Sequence, residues 1–136
     1  MIIEILEAIV EASNSLAGWA IAAIMGSVAM IVGAGYLKPH AHKFRWLYLL
    51  FLPGWASLGY SAYLGQVIQR HYIAALLSDA DLGRGDLIEI HKSINHEYMK
   101  QLDWFSYGLG FFSLWLVLFL LWWIILEGRE KKDESQ

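Results

Sequence analysis

A chain of 136 residues is long enough for one ordinary globular domain, yet 57% of this one is hydrophobic, only 17% is charged and its mean hydropathy is +0.43. So small a sphere has no interior for that much apolar surface, which excludes an ordinary soluble core. A net charge of −3 with acids and bases interspersed carries no nucleic-acid signature, and the lack of cysteine excludes disulfides, thiolate metal sites and thiol nucleophiles.

Three stretches contain no Asp, Glu, Lys or Arg: Ala12 to Leu37, Trp46 to Gln69 and Trp104 to Leu126. Each exceeds the ~20 helical residues that cross a hydrocarbon core of ~30 Å. The alternating ten-residue segments of a β-barrel are missing. The expectation is therefore an all-α integral membrane protein with three transmembrane helices running up-down-up, spanning about 16–37, 46–68 and 104–126. Those spans lie in a membrane domain 1–127, with helical extensions on the outer side, an extramembrane connection over 69–103 and a disordered cytoplasmic tail at 128–136.

Helix one is expected from Ile2 to the Lys38–Pro39 pair, because a residue before proline avoids the α region. No basic residue precedes its apolar run, so it reads as a mature transmembrane helix and not as a cleaved leader. Some 36 residues measure ~54 Å at ~1.5 Å each, so its first turns protrude from the bilayer. Helix two is expected from about Phe44, with Trp46 and Tyr48 as interfacial aromatics, a kink at Pro53 and close approach of a neighbour at Gly54. Its apolar pattern continues past Arg70 through Tyr72, Ile73, Leu76 and Leu77.

A breaker-rich turn runs from Ser78 to Gly85, and Asp86 with Glu89 reads as a capping box opening helix three. Leu87, Ile90, Ile94, Tyr98 and Leu102 then share one face, while Glu89, Lys92, His96, Lys100 and Asp103 share another. Beyond Gly108 and Gly110 come Phe111, Phe112, Trp115, Phe119, Trp122 and Trp123, expected to face lipid or a groove. Basic residues resist translocation, so Lys38, Lys43 and Arg45, with Arg129, Lys131 and Lys132, place the first connection and the C-terminus in the cytoplasm. The N-terminus is then outside, and a bacterial inner membrane is the expected location.

Glu4, Glu7, Glu11, Ser15, Gly18, Ala22, Gly26, Ala29 and Gly33 follow one another at spacings of three or four, which aligns all nine on one stripe of helix one. Small residues let transmembrane backbones approach closely, so the stripe suits tight packing, with the glutamates solvated or paired to Arg84 or Lys92. It equally suits a pore. Carboxylate rings at a mouth concentrate cations, and small residues below them leave room for water. A lesser stripe at Ser57, Ser61 and Gly65 of helix two reads as packing.

Other sites are weaker. His91 and His96 diverge by roughly 140° on a helix, His40 and His42 lie among cations, and His71 stands in a polar interfacial cluster, so no metal or cofactor is expected. No spacing picks out a catalytic base, nucleophile or phosphate cradle, and Arg84-Gly85-Asp86 reads as a turn leading into a cap. A lipid-embedded homo-oligomeric pore favouring cations is the leading expectation. A non-catalytic accessory or assembly subunit of a larger membrane complex is the alternative. Three spans, N-out and C-in, with a charged tail also resemble the plan of three-span phage holins, which implies membrane permeabilisation. That resemblance is one of architecture, covers no sequence motif and carries over no functional residue.

Overall fold

The computed structural model describes residues 2–37, 48–78 and 83–133. They form three α-helices, with no strand among the described residues: α1 (Ile2–Leu37), α2 (Phe51–Ser78) and α3 (Arg84–Asp133). Among the described residues, two stretches, Ile3–Gly33 and Gly85–Trp122, are long and apolar enough to cross a membrane. The Lys38–Pro39 stop, His40, His42, Lys43, the start at Phe44, Arg45, Trp46 and the centre of the turn at 79–82 lie outside the described residues.

Three expectations need correction. A 3₁₀ turn at 48–50 leads into α2 at Phe51, so Pro53 sits in the first turn, where no carbonyl four residues back awaits its missing N–H. Proline thus belongs to the opening turn of this helix. The cap of α3 is Gly83, not Asp86: the Asp86 amide donates to the Gly83 carbonyl at 3.0 Å, and the Asp86 carboxylate accepts the Gly83 amide at 3.2 Å. Asp86 is the acidic third residue of a capping box whose first member is glycine, and Arg84-Gly85-Asp86 is helical. α3 also continues to Asp133, through residues expected in the disordered tail. Glu, Arg and Lys are strong helix formers, and among Glu127–Asp133 only Gly128 weakens the run.

The core has two ends. At one, Leu6 and Val10 of α1 meet Ile68 of α2 and Ile94 of α3, flanked by Tyr72, Ile90 and Tyr98. At the other, Phe51 of α2 and Trp115 of α3 lie 4.8 Å apart between ring centroids, with Ile31, Trp55, Phe112 and Phe119 around them. Phe112, Trp115 and Phe119 thus turn inward, a fourth correction. Their rings need room between α2 and α3, and glycine supplies it. A Cβ on Gly54 would stand 2.6 Å from the Phe112 ring, and one on Gly108 would stand 2.5 Å from Leu58 and 3.2 Å from the Gly54 carbonyl oxygen. The amphipathic reading of early α3 agrees with its packing: Ile94 is buried, Leu87, Ile90, Tyr98 and Leu102 are half-buried, and Glu89, Lys92, His96, Lys100 and Asp103 are exposed.

Candidate functional site

α1 has two opposed faces. Leu6, Val10, Ser13, Ala20 and Ser27 are buried, and Ala17, Ile24 and Ile31 between them are half-buried; together they form the stripe that holds α2 and α3. At ~3.6 residues per turn, the centre of the acidic and small-residue stripe lies about 160° round the helix from the centre of that buried stripe. All nine of its residues, Glu4, Glu7, Glu11, Ser15, Gly18, Ala22, Gly26, Ala29 and Gly33, are exposed. A Cβ added at Gly18, Gly26 or Gly33 would meet nothing within 4 Å. Packing inside the chain therefore does not explain these glycines. An open groove of about 460 Å³ runs beside the acidic end, lined by Glu7, Val10, Glu11, Asn14, Ser15 and Tyr72. The Tyr72 hydroxyl donates to Glu7 at 3.4 Å. Burial, then the Glu7 charge and that hydrogen bond, holds the phenol's pKa above its ordinary 10.0.

Three polar side chains lock the helices together midway along the bundle. The Ser13 hydroxyl donates to Gln101 Oε1 at 2.6 Å, Gln101 Nε2 donates back to the Ser13 carbonyl at 3.0 Å, and the Ser61 hydroxyl donates to the Gln101 carbonyl at 3.0 Å. Ser13, Ser61 and Gln101 are all fully buried. Gly65 lets them converge, since a Cβ there would lie 2.9 Å from Gln101 Nε2 and 3.2 Å from the Ala17 Cβ. Ser61 and Gly65 are thus packing residues, in line with the sequence reading, and Ser57 is buried too. Ser13 and Gln101 escaped that reading. The signal was present, because Gln101 extends the 87-90-94-98 apolar spacing by one step, and a polar residue on an apolar stripe marks a buried hydrogen bond. A further link, from Trp55 Nε1 to the Ser27 hydroxyl at 2.7 Å, ties α2 to α1.

The Ser13–Gln101 pair fixes a register in which a residue of α1 is level with the one 88 positions later in α3. Near that level a group of exposed aromatics gathers. Tyr60 and Trp104 meet edge to face at 5.1 Å, Tyr63 stacks beside Tyr60 at 6.1 Å, and Tyr107 lies 6.0 Å from Trp104. Trp19, 69% exposed, falls level with Tyr107 by the same register. On one side of this belt α1 carries Glu4, Glu7 and Glu11, α2 carries Arg70 and His71, and α3 carries Lys92, His96 and Lys100. On the other, Met25, Val32, Leu114, Val117 and Leu121 are exposed to the surroundings.

Among the described residues, no group of three or more His, Asp or Glu side chains is placed to hold a metal ion. No family model matches this sequence, and no curated protein or solved structure is similar to it.

Proposed function

We propose that this chain is a non-catalytic, three-span integral membrane protein that assembles with copies of itself in the bilayer through the outward face of α1. One observation carries the proposal: nine aligned acidic and small residues lie exposed opposite the face that holds the bundle, and nothing lies within 4 Å of a Cβ built on Gly18, Gly26 or Gly33. Apolar side chains gain nothing by meeting each other in lipid, so transmembrane helices associate where small residues let backbones close up. A glycine stripe with no partner inside the chain is a surface waiting for a partner outside it.

The aromatic belt supports insertion of all three helices, because tyrosine and tryptophan favour the membrane–water interface. From Trp104 to Trp122 α3 rises ~27 Å, close to a hydrocarbon thickness. The belt then separates an outer polar bundle, holding Glu4 to Glu11 and Lys92 to Lys100, from the membrane segments. The distribution of basic residues favours an N-terminus outside and a C-terminus in the cytoplasm.

A second reading has the same face turned to a central axis, as the lining of a cation-favouring pore with Glu4, Glu7 and Glu11 as its vestibule. The open acidic groove beside Glu7, Glu11, Asn14 and Ser15 favours it. Two differently tagged copies coexpressed in one membrane test both. Capture of one by the other is expected for the native chain and is reduced at least about tenfold by Gly26→Leu, which obstructs the close approach. Cation flux through reconstituted vesicles, altered by replacing all three glutamates with glutamine while capture persists, selects the pore. Failure of capture for the native chain sinks the self-assembly proposal and leaves the accessory-subunit reading, with a foreign helix on the same face.

A further inference from the structure

We infer that the surface seated against the outward face of α1 is the outward face of α3 from a second copy, so that the copies join head to tail around an axis normal to the membrane. The inference rests on the self-assembly reading and adds the partner surface. Three facts lead to it.

First, α3 also has an exposed stripe opposite its buried side. Lys92, His96, Lys100 and Asp103 are followed at helical intervals by Tyr107, Gly110, Leu114, Val117 and Leu121, every one of them exposed. A Cβ on Gly110 would meet nothing within 4 Å. Second, heights are not free. Copies related by an axis along the membrane normal sit at equal depth, so the register within one chain also sets which residues face each other between chains. The 88-residue register puts Glu4 level with Lys92, and it brings Glu7 and Glu11 within one residue, ~1.5 Å, of His96 and Lys100. Acid meets base at all three levels. Two carboxylates share this face of α3 and neither is level with a glutamate: Asp103 is level with Ser15, a hydrogen-bond donor, and Glu89 stands three residues, ~4.5 Å, beyond the level of Glu4.

Third, the membrane part is complementary in size. Gly26 is level with Leu114 and Gly33 with Leu121, while Gly18 lies one residue from Tyr107. Hollows on α1 therefore face knobs on α3. At Ala22 and Gly110 small meets small, and the two backbones come closest there. Unlike-faced contacts of this kind close into a ring when their rotation permits, which is how a membrane protein makes a finite assembly from one interface. Lys100 already touches Glu97 of its own chain at 3.4 Å, but that exposed pair, only three residues apart, offers weak competition.

The chain has no native cysteine, so disulfide trapping reads the contact directly. The double variant Ala22→Cys, Gly110→Cys, oxidised in the membrane, is expected to give a ladder of covalent oligomers, because both positions face away from their own bundle. Ala22→Cys alone is expected to stay monomeric on a denaturing gel, as is the height-shifted pair Ala22→Cys, Leu121→Cys, whose thiols would be ~16 Å apart in height. Replacing Glu4, Glu7 and Glu11 with lysine should weaken capture between copies at least about tenfold, since the attractions to Lys92 and Lys100 become repulsions and the acceptor facing His96 is lost. Adding Lys92→Glu, His96→Glu and Lys100→Glu to that chain should restore it. Cross-linking by Ala22→Cys alone, with no ladder from the 22/110 pair, would show that α1 meets α1; self-assembly would stand and the α3 assignment would fall. An oligomer by mass that no pair cross-links and no charge swap rescues overturns the α3 assignment likewise. A native monomer overturns both.

Discussion

Between α2 and α3, Gly54 and Gly108 are clasped: any side chain added there meets the Phe112 ring, Leu58 or backbone within about 3 Å. On α1, Gly18, Gly26 and Gly33 stand with nothing within 4 Å. The residue type is the same and so is the helical setting, but one set is occupied within the monomer and the other is not. Glycine inside a helix costs about 1 kcal/mol relative to alanine. In the first set close packing offsets that cost within the chain, whereas in the second no contact within the chain does. The comparison separates what holds the fold from what the fold presents.

Substitutions that move bulk from one set to the other break the comparison most sharply. Gly108→Leu forces four carbons into Leu58 and the Gly54 carbonyl, and is expected to cost about 3 kcal/mol or more and abolish cooperative unfolding in detergent. Gly26→Leu is expected to leave the monomer's melting temperature unchanged or slightly raised, because it adds helix propensity and meets nothing inside the chain. Equal melts for the two variants would erase the distinction.

A smaller effect is expected at the polar junction. Gln101→Ala removes both side-chain bonds to Ser13 and opens a void between three helices, at a cost of about 2 kcal/mol read from a denaturation midpoint. Trp55→Phe loses the bond to Ser27 and part of the ring packed beside Phe51, and should cost about 1 kcal/mol or slightly more. The smallest effect belongs to Tyr72. The folded chain keeps that phenol protonated to higher pH than the unfolded chain does, so the stability it carries is intact below pH 10.0 and falls as pH rises beyond it. Tyr72→Phe should remove that alkaline slope.

Much of this arrangement was legible in the residues, and the parts that were not share a cause. The three helices and the exposed polar face of early α3 follow from charge-free runs and 3.6-residue spacing, which are local properties. The α1 stripe was legible as a face, but spacing gives a face without saying which way it points. Its opposition to the bundle became visible only when Leu6, Val10 and Ser13 were seen against α2 and α3. For the same reason Phe112 and Trp115 read only as facing lipid or a groove: their inward turn depends on space left by Gly54, on another helix. The Asp86 cap slipped by three residues because glycine can hold the cap position while leaving the acidic partner to do the bonding.

The most direct test of the claim that α1 presents an assembly face is the native mass of the protein in nanodiscs, with bound lipid resolved. The native chain is expected as one discrete oligomer and Gly26→Leu as a monomer that melts normally. A native chain that is monomeric at every concentration tried would contradict the account.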